Sequence, residues 1–321
     1  MEIKKIFDEA KKLIDESHNI LLTMHERMDG DDGGALLALG EFLEKLGKQV
    51  TMTIKQGVPP SLQFLPSSHK ITDDITTTEF DLLITFGCSN LERTGNPKIL
   101  NLKSRILNID HHPDNKNFGD INLVDAQKSS VAELVYNFFT YHQIPINKPM
   151  ATCLLTGIVT DTGCFMHSNT QSSTLKSASE LMSKGANLTA IIDNTFKNKN
   201  PSTLLAWGKA LSNLNYDPDK KIIYSIITQT EIENLNELPS NAFEGLTETL
   251  NTFPEAKFAM LLRQEGGIIK GSLRTDPHKH TDVNKIARLF GGGGHKMASG
   301  FSVVGQLVKT TAGKWSIVNP N

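Results

Sequence analysis

The sequence predicts an α/β protein of two lobes: an N-terminal parallel sheet flanked by helices, then a smaller C-terminal α/β domain. Three observations predict it. Short apolar strands alternate with amphipathic helical stretches through the first 190 residues, the pattern of a parallel sheet with helices on its faces. A polar stretch broken by Pro201 (192–203) then interrupts that pattern. Beyond it, strand signals dominate. At 321 residues the chain is long enough for two such cores. The expected boundaries are 1–190 for the first lobe, 191–215 for a linker and 216–321 for the second lobe.

In chain order, Ile3, Ile6, Phe7, Ala10, Leu13 and Ile14 recur at helical spacing. NILLTMH (19–25) reads as a buried strand ending at His25. Leu36, Leu39, Phe42, Leu43 and Leu46 then share one face of a helix expected over 33–46, with Gly47 as its stop. Strands are expected at 49–54, 81–86 and 104–109, and helices at 130–142, 149–160 and 172–184. In the second lobe, 220–228, 257–264 and 267–275 read as strands. Gly266-Gly267 is the expected hairpin turn between the last two, and 283–290 reads as a helix. There is no internal repeat and no low-complexity tract.

Bulk composition narrows the function. Hydrophobic residues at 38% and charged residues at 21% fit a soluble globular chain. No apolar run reaches bilayer-spanning length, and the charged amphipathic N-terminus is not a secretory signal. A formal net charge of −2 argues against gripping long nucleic acid by bulk electrostatics, but leaves a small anionic substrate open. Cys88, Cys153 and Cys164 form neither a metal-type pair nor an even disulfide framework, and a reducing cytoplasm is the simplest reading.

Four polar clusters stand out: HERMDGDD (25–32), NIDHHP (108–113), IVTDTG (158–163) and FGGGGHKMASG (290–300). His25, Gly87 and Asp110 each follow or end an expected strand, and open α/β sheets bind ligands beyond the carboxyl ends of their strands. Asp29 and Asp31, two apart on a loop turned by Gly30, suit a hard divalent cation together with His25. The blander reading is an exposed acidic turn in which Asp31 or Asp32 caps the next helix. That helix would also aim its positive end at a phosphate.

Adjacent His111 and His112 are an unusual choice for packing, and Asp110 beside them can fix an imidazole tautomer. A surface turn with incidental histidines is the alternative. Asp161 alone is an ordinary helix terminus and gains weight only from its company. Gly291–Gly294 could converge backbone amides on an anion, whereas a hinge would not need His295. Arg274, ending a strand, could hold a phosphate with its planar fork, although a lone arginine is commonly a surface residue.

In order and spacing these blocks resemble the DHH/DHHA1 phosphoesterase family, in particular its bacterial members that degrade very short oligoribonucleotides and pAp, relatives of the RecJ exonucleases. HERMDGDD is similar to the family's H-x-x-P-D-G-D-A block, with Met28 where proline is usual and Asp32 where alanine is usual. IDHHPDNKNF, TGIVTDTGCFMHSNT and GSLRT with FGGGGHKMASGF match further blocks, so the likeness covers nearly the whole chain. It implies an active site between two lobes and two Mn2+ ions. His25 and Asp29 would hold one ion, and Asp31, His111 and Asp161 the other. Asp110 and His112 would support catalysis or contact phosphate. Arg274, Gly291, Gly292, Gly293, Gly294 and His295 would grip the substrate's terminal phosphate or nucleotide. Implied partners are short RNA or a dinucleotide, pAp, and a second copy in a homodimer, with no long duplex and no membrane. The products would be 5′-mononucleotides.

One position departs. DLLITFGCSNLERTG carries Gly87 where the family has an aspartate that bridges both metals. Two-metal hydrolysis needs ions roughly 3.5–4 Å apart sharing ligands, and glycine offers no side-chain oxygen. Asn90 is neutral and no equal replacement. Weak occupancy of at least one metal site and turnover lowered by orders of magnitude are therefore expected, with Gly87→Asp restoring it. Either a natural loss or a deliberate removal would produce this pattern. Rival readings are a phosphodiesterase for cyclic or linear dinucleotides and a nucleotide-binding protein without chemistry. Inorganic pyrophosphatases share the first lobe but lack the GGGGH block.

Overall fold

The computed structural model describes residues 2–235, 238–239, 242–310 and 315–318. The chain divides into two compact units, Met1–Asn198 and Lys199–Asn321. The first holds α1 (Glu2–Glu16), β1 (Asn19–Met24), α2 (Gly30–Lys45), β2 (Gln49–Thr53), β3 (Leu82–Phe86), α3 (Pro97–Leu100), β4 (Arg105–Asp110) and β5 (Ile121–Val124). Four helices follow: α4 (Val131–Tyr141), α5 (Lys148–Asp161), α6 (Ser172–Ser183) and α7 (Leu188–Thr195).

Its five strands form an all-parallel sheet in the order β2-β1-β3-β4-β5. The central strands NILLTM and LLITF are almost unbroken apolar runs because helices cover both faces of a parallel sheet. β5 has no counterpart among the expected strands: INLV is four residues long and mostly half-buried at the sheet edge, so it carries little hydrophobic signal. In the register Met24 pairs with Phe86 and Phe86 with Ile109. His25, Gly87 and Asp110 therefore come level at one end of the sheet.

Two glycines set how closely the helices behind that end approach. A Cβ on Gly34 would lie 2.3 Å from the Cys153 carbonyl oxygen, and one on Gly157 would lie 2.4 Å from Ala132 Cβ. α2 therefore meets α5 backbone to backbone and α5 packs closely on α4, while Thr160 near the C-terminal end of α5 fills the space beside Gly30 at the start of α2.

The second unit holds α8 (Pro201–Ser212), β6 (Leu214–Asp217), β7 (Ile222–Ile227), α9 (Gln229–Glu233), α10 (Leu246–Leu250), β8 (Phe258–Glu265) and β9 (Ile268–Arg274). It continues with α11 (Val283–Arg288), β10 (Gly293–Gly294), β11 (Ala298–Val304), β12 (Gln306–Lys309) and β13 (Trp315–Val318). Six strands form a mixed sheet, β10-β11-β9-β8-β7-β6, in which only β7 and β8 run parallel. Gly266 and Gly267, at φ +60° and +79°, make the hairpin turn between β8 and β9, where two positive φ angles match the twist of the strands.

Much of the stretch whose composition suggests a linker is helical. Pro201 starts α8 rather than breaking it: Asn200 accepts from the Thr203 amide, and proline at the first helical position lacks only an N–H that would have no partner. Ala206 and Ala210 of α8 pack into the core of the second unit. Among the described residues no helix is long and apolar enough to cross a membrane.

Candidate metal centre

α2 begins at Gly30, three residues earlier than its apolar periodicity indicates. Its N-cap is Asp29, not Asp31 or Asp32: extended at φ −109°, ψ 178°, Asp29 accepts the Asp32 amide on Oδ1 at 2.9 Å. Cap and helix dipole together outweigh the glycine-rich, loop-like composition of the first turn. Asp31 and Asp32 are therefore consecutive helical residues rather than members of an extended loop. Helical neighbours diverge by about 100°, so their carboxylates serve two different places.

Those places are two three-donor clusters. In one, His25 Nε2 lies 3.1 Å from Asp29 Oδ2 and 3.1 Å from Asp32 Oδ2. In the other, His111 Nε2 lies 3.8 Å from Asp31 Oδ2 and 3.9 Å from Asp161 Oδ2. Within each cluster the donor atoms all fall within 4.8 Å of one another.

The second cluster is braced from outside. Asp31 accepts the amides of Val131 and Ala132, both at 2.8 Å, at the N-terminus of α4. His111 Nδ1 is 3.2 Å from the Lys128 carbonyl oxygen. A carbonyl can only accept, so Nδ1 carries the proton and Nε2 turns its lone pair toward the carboxylates. Asn169 donates to Asp161 Oδ2 at 3.0 Å.

Asp110 and His112 belong to neither cluster. Asp110, wholly buried at the end of β4, accepts the His111 and His112 amides at 2.7 and 3.0 Å, and His112 Nδ1 at 2.6 Å. Asn115 Nδ2 reaches its other oxygen at 2.5 Å. Asp110 thus positions the two histidines.

Burial pushes Asp31 and Asp32 up from the usual carboxylate range, and neighbouring carboxylates add to it. Burial also raises Asp161, to about 6, against the opposing pull of His111. Burial alone would lower His25, but its bonds to Asp29 and Asp32 prevail and raise it to about 10. For His112 the bond to Asp110 likewise overcomes burial, to about 9. Among the described residues no lysine or arginine pairs with Asp29, Asp31, Asp32 or Asp161. Four crowded carboxylates with two imidazoles form a donor set suited to manganese-like divalent cations. Asp32 Oδ1 is buried without any hydrogen-bond partner, which a cation beside it would cure.

Asp32 is a donor that the motif does not supply. Gly87 sits at φ +58°, and a Cβ there would lie 1.8 Å from Asp32 Oδ2 and 2.2 Å from Asp32 Cγ. The simple reversal Gly87→Asp therefore fits only if the Asp32 carboxylate moves aside. The available signal was that positions 32 and 87 both depart from the family pattern.

In the second unit, Arg274 ends β9, with Nε bound to Glu248 and Nη1 donating to the Leu273 carbonyl at 2.9 Å. Two of the four amides of the glycine run are already engaged within the fold. The Gly291 and Gly292 amides close α11 on the Arg288 and Ala287 carbonyls at 3.1 and 3.0 Å. Gly293 and Gly294 pair with Gly300 and Ser299, and the His295 amide bonds Ala298 O at 2.8 Å. What requires glycine is close backbone approach: a Cβ on Gly292 would lie 2.1 Å from the Gly300 carbonyl oxygen. His295 itself is exposed.

Comparison with known proteins follows the same two units. Residues 19–158 match the profile of the DHH family, N-terminal domain, and residues 219–311 match the DHHA1 domain. The chain is 29% identical to the bifunctional oligoribonuclease and PAP phosphatase NrnA of Bacillus subtilis, over 88% of this chain and 89% of that one. It is 28% identical to the probable enzyme of that name from Streptococcus mutans, over 88% of each. Among solved structures it resembles an exopolyphosphatase-related protein from Bacteroides fragilis, with a TM-score of 0.86 and 27% identity over 92% of this chain and 90% of that one. Thermus thermophilus RecJ, solved in complex with Mn2+, shares the fold at a TM-score of 0.56 and 14% identity, over 94% of this chain and 52% of RecJ.

Proposed function

The chain belongs to the DHH/DHHA1 family, and from that premise we propose that it is a manganese-dependent phosphoesterase. It hydrolyses short oligoribonucleotides and pAp to 5′-mononucleotides, in the cytoplasm and as a homodimer. The observation that carries this reading is the pair of three-donor clusters beyond the ends of β1, β3 and β4. Full-length relatives that bear the names of oligoribonuclease and PAP phosphatase support the substrate class.

Divalent cations held there would supply positive charge to the phosphoryl oxygens and make water a competent nucleophile near neutral pH. The chain's own residues do the rest. His25, Asp29, Asp31, His111 and Asp161 would hold the ions. Asp110 fixes Nδ1 of His112, whose raised pKa keeps the imidazole protonated at neutral pH. His112 can then donate to a phosphate oxygen or to the departing alkoxide. Arg274, Gly291, Gly292, Gly293, Gly294 and His295 would bind the substrate's terminal phosphate or nucleotide.

The test is a substrate panel with Mn2+: pAp, pApA, cyclic di-AMP and a longer RNA. Preferential turnover of pAp and pApA is expected. Preference for cyclic di-AMP would move the reading to cyclic-dinucleotide hydrolysis. Nucleotide binding without turnover of any of the four would leave a binding protein.

A further inference from the structure

The side chain that fills the space beside Gly87 is itself a carboxylate. Asp32 is only 2% exposed, and its Oδ2 occupies the volume that a side chain at position 87 would enter. Its Oδ1 faces that buried space without a hydrogen-bond partner, while Oδ2 lies 3.1 Å from His25 Nε2. The motif that the chain resembles has alanine at position 32 and aspartate at position 87, where this chain has Asp32 and Gly87. The carboxylate therefore stands on the first turn of α2 instead of at the end of β3, and the number of anions at this place is the same.

The two differences also need each other. Retaining a side chain at 87 would drive it into Asp32, and a small residue at 32 would leave the His25 cluster one anion short. A buried carboxylate beside two others costs free energy unless a cation or proton neutralises it. Asp32 has no arginine or lysine partner among the described residues, and its hydrogen-bond contact through Oδ2 is to a cluster histidine.

We infer that Asp32 is a metal ligand and replaces the aspartate missing at position 87, so that the centre is rearranged rather than broken. This rests on the metal-dependent reading above. It replaces the weakened centre expected from Gly87 alone.

Mn2+ alone is the probe. Bound ions are counted by electron paramagnetic resonance on the full chain, Asp32→Ala, Gly87→Asp and the double variant Asp32→Ala/Gly87→Asp, with Tm followed in chelator and in Mn2+. The parent is expected to bind a pair of ions. Asp32→Ala should weaken one of them by at least about tenfold, while its Tm in chelator stays equal or rises because a strained anion has gone. The double variant should regain most of that affinity, since aspartate tolerates the left-handed backbone at 87 better than most residues. Gly87→Asp alone should bind more weakly than the parent. Should Asp32→Ala not fold, Asp32→Asn keeps the shape and should show the same weakening.

Undiminished binding by Asp32→Ala or Asp32→Asn overturns the inference, as does tighter binding by Gly87→Asp alone. Failure of the substrate panel with Asp32-dependent Mn2+ binding intact would remove the enzymatic reading and leave this assignment standing.

Discussion

The two clusters of the first unit are built on opposite principles. Around Asp31, everything is tied from outside: two α4 amides, the Lys128 carbonyl and Asn169 fix the three donors before any ion arrives. Around Asp32, the donors hold mainly one another. Asp29 is half exposed, at 53% for its side chain, and its helix-cap bond comes from the backbone amide of Asp32 in the same cluster. A preformed site loses little order on binding, whereas a mutually held one must be completed by its ligand. The difference predicts a tight, rigid position at Asp31 and a softer one at Asp32.

The largest effect should come from Asp31→Ala. It removes a donor and leaves the Val131 and Ala132 amides without their acceptor, so Mn2+ at that cluster should be lost and turnover should fall by at least about a thousandfold. Single-turnover assays with Mn2+ counting check this, and near-normal activity would erase the distinction between the clusters. Next, Asn169→Ala should weaken metal at the braced cluster by about 10–100-fold, as loss of a partner orienting a ligand does. An unchanged affinity would mean that Asp161 needs no brace.

Metal binding should strengthen as pH rises. Asp31, Asp32 and Asp161 are raised by burial and His25 is held near 10, so an incoming cation competes with bound protons. Affinity should climb through about pH 6 as Asp161 deprotonates, with proton release persisting at pH 7 from His25. For the metal-free protein the sign for Asp161 is opposite. Its raised pKa favours the folded state below the unfolded value of 3.8, and that stability is lost as pH rises through about 6. Calorimetry in buffers of differing ionisation enthalpy reads the proton release, and buffer-independent heats would contradict it.

The smallest effect separates the two duties of Asp29. Asp29→Ser keeps a capping oxygen, so Tm in chelator should hold while Mn2+ binding weakens. Asp29→Ala should also lower Tm by about 2–4 °C, the equivalent of about 1 kcal/mol of lost cap. Equal Tm for the two variants would mean that the cap contributes nothing.

Much of this was legible because central parallel strands are nearly pure apolar runs, and because His25, Gly87 and Asp110 sit at their ends. The donor grouping of Asp31, His111 and Asp161 also followed from the family resemblance. Three features were not legible, each for a physical reason. The start of α2 was hidden because a glycine-rich first turn has poor intrinsic propensity, yet a cap and tight packing on α5 override it. The glycine run reads as four amides open to an anion because sequence does not say whether an amide already has a partner; two of its amides close α11. Asp32 looked like a spare acidic residue because what it compensates lies 55 positions away. Nothing local distinguishes a capping carboxylate from one that fills the gap beside another strand.

Asp31 and Asp32 share one peptide bond, yet they point into separate clusters. Any tilt of that single helical turn must move both carboxylates together, so the two positions are mechanically linked. Outside ties already hold that turn at Asp31, so the braced cluster should preset its neighbour whether or not it is occupied. The two positions should fill as independent Mn2+ steps, and Asp31→Ala, which cuts those ties, should weaken both.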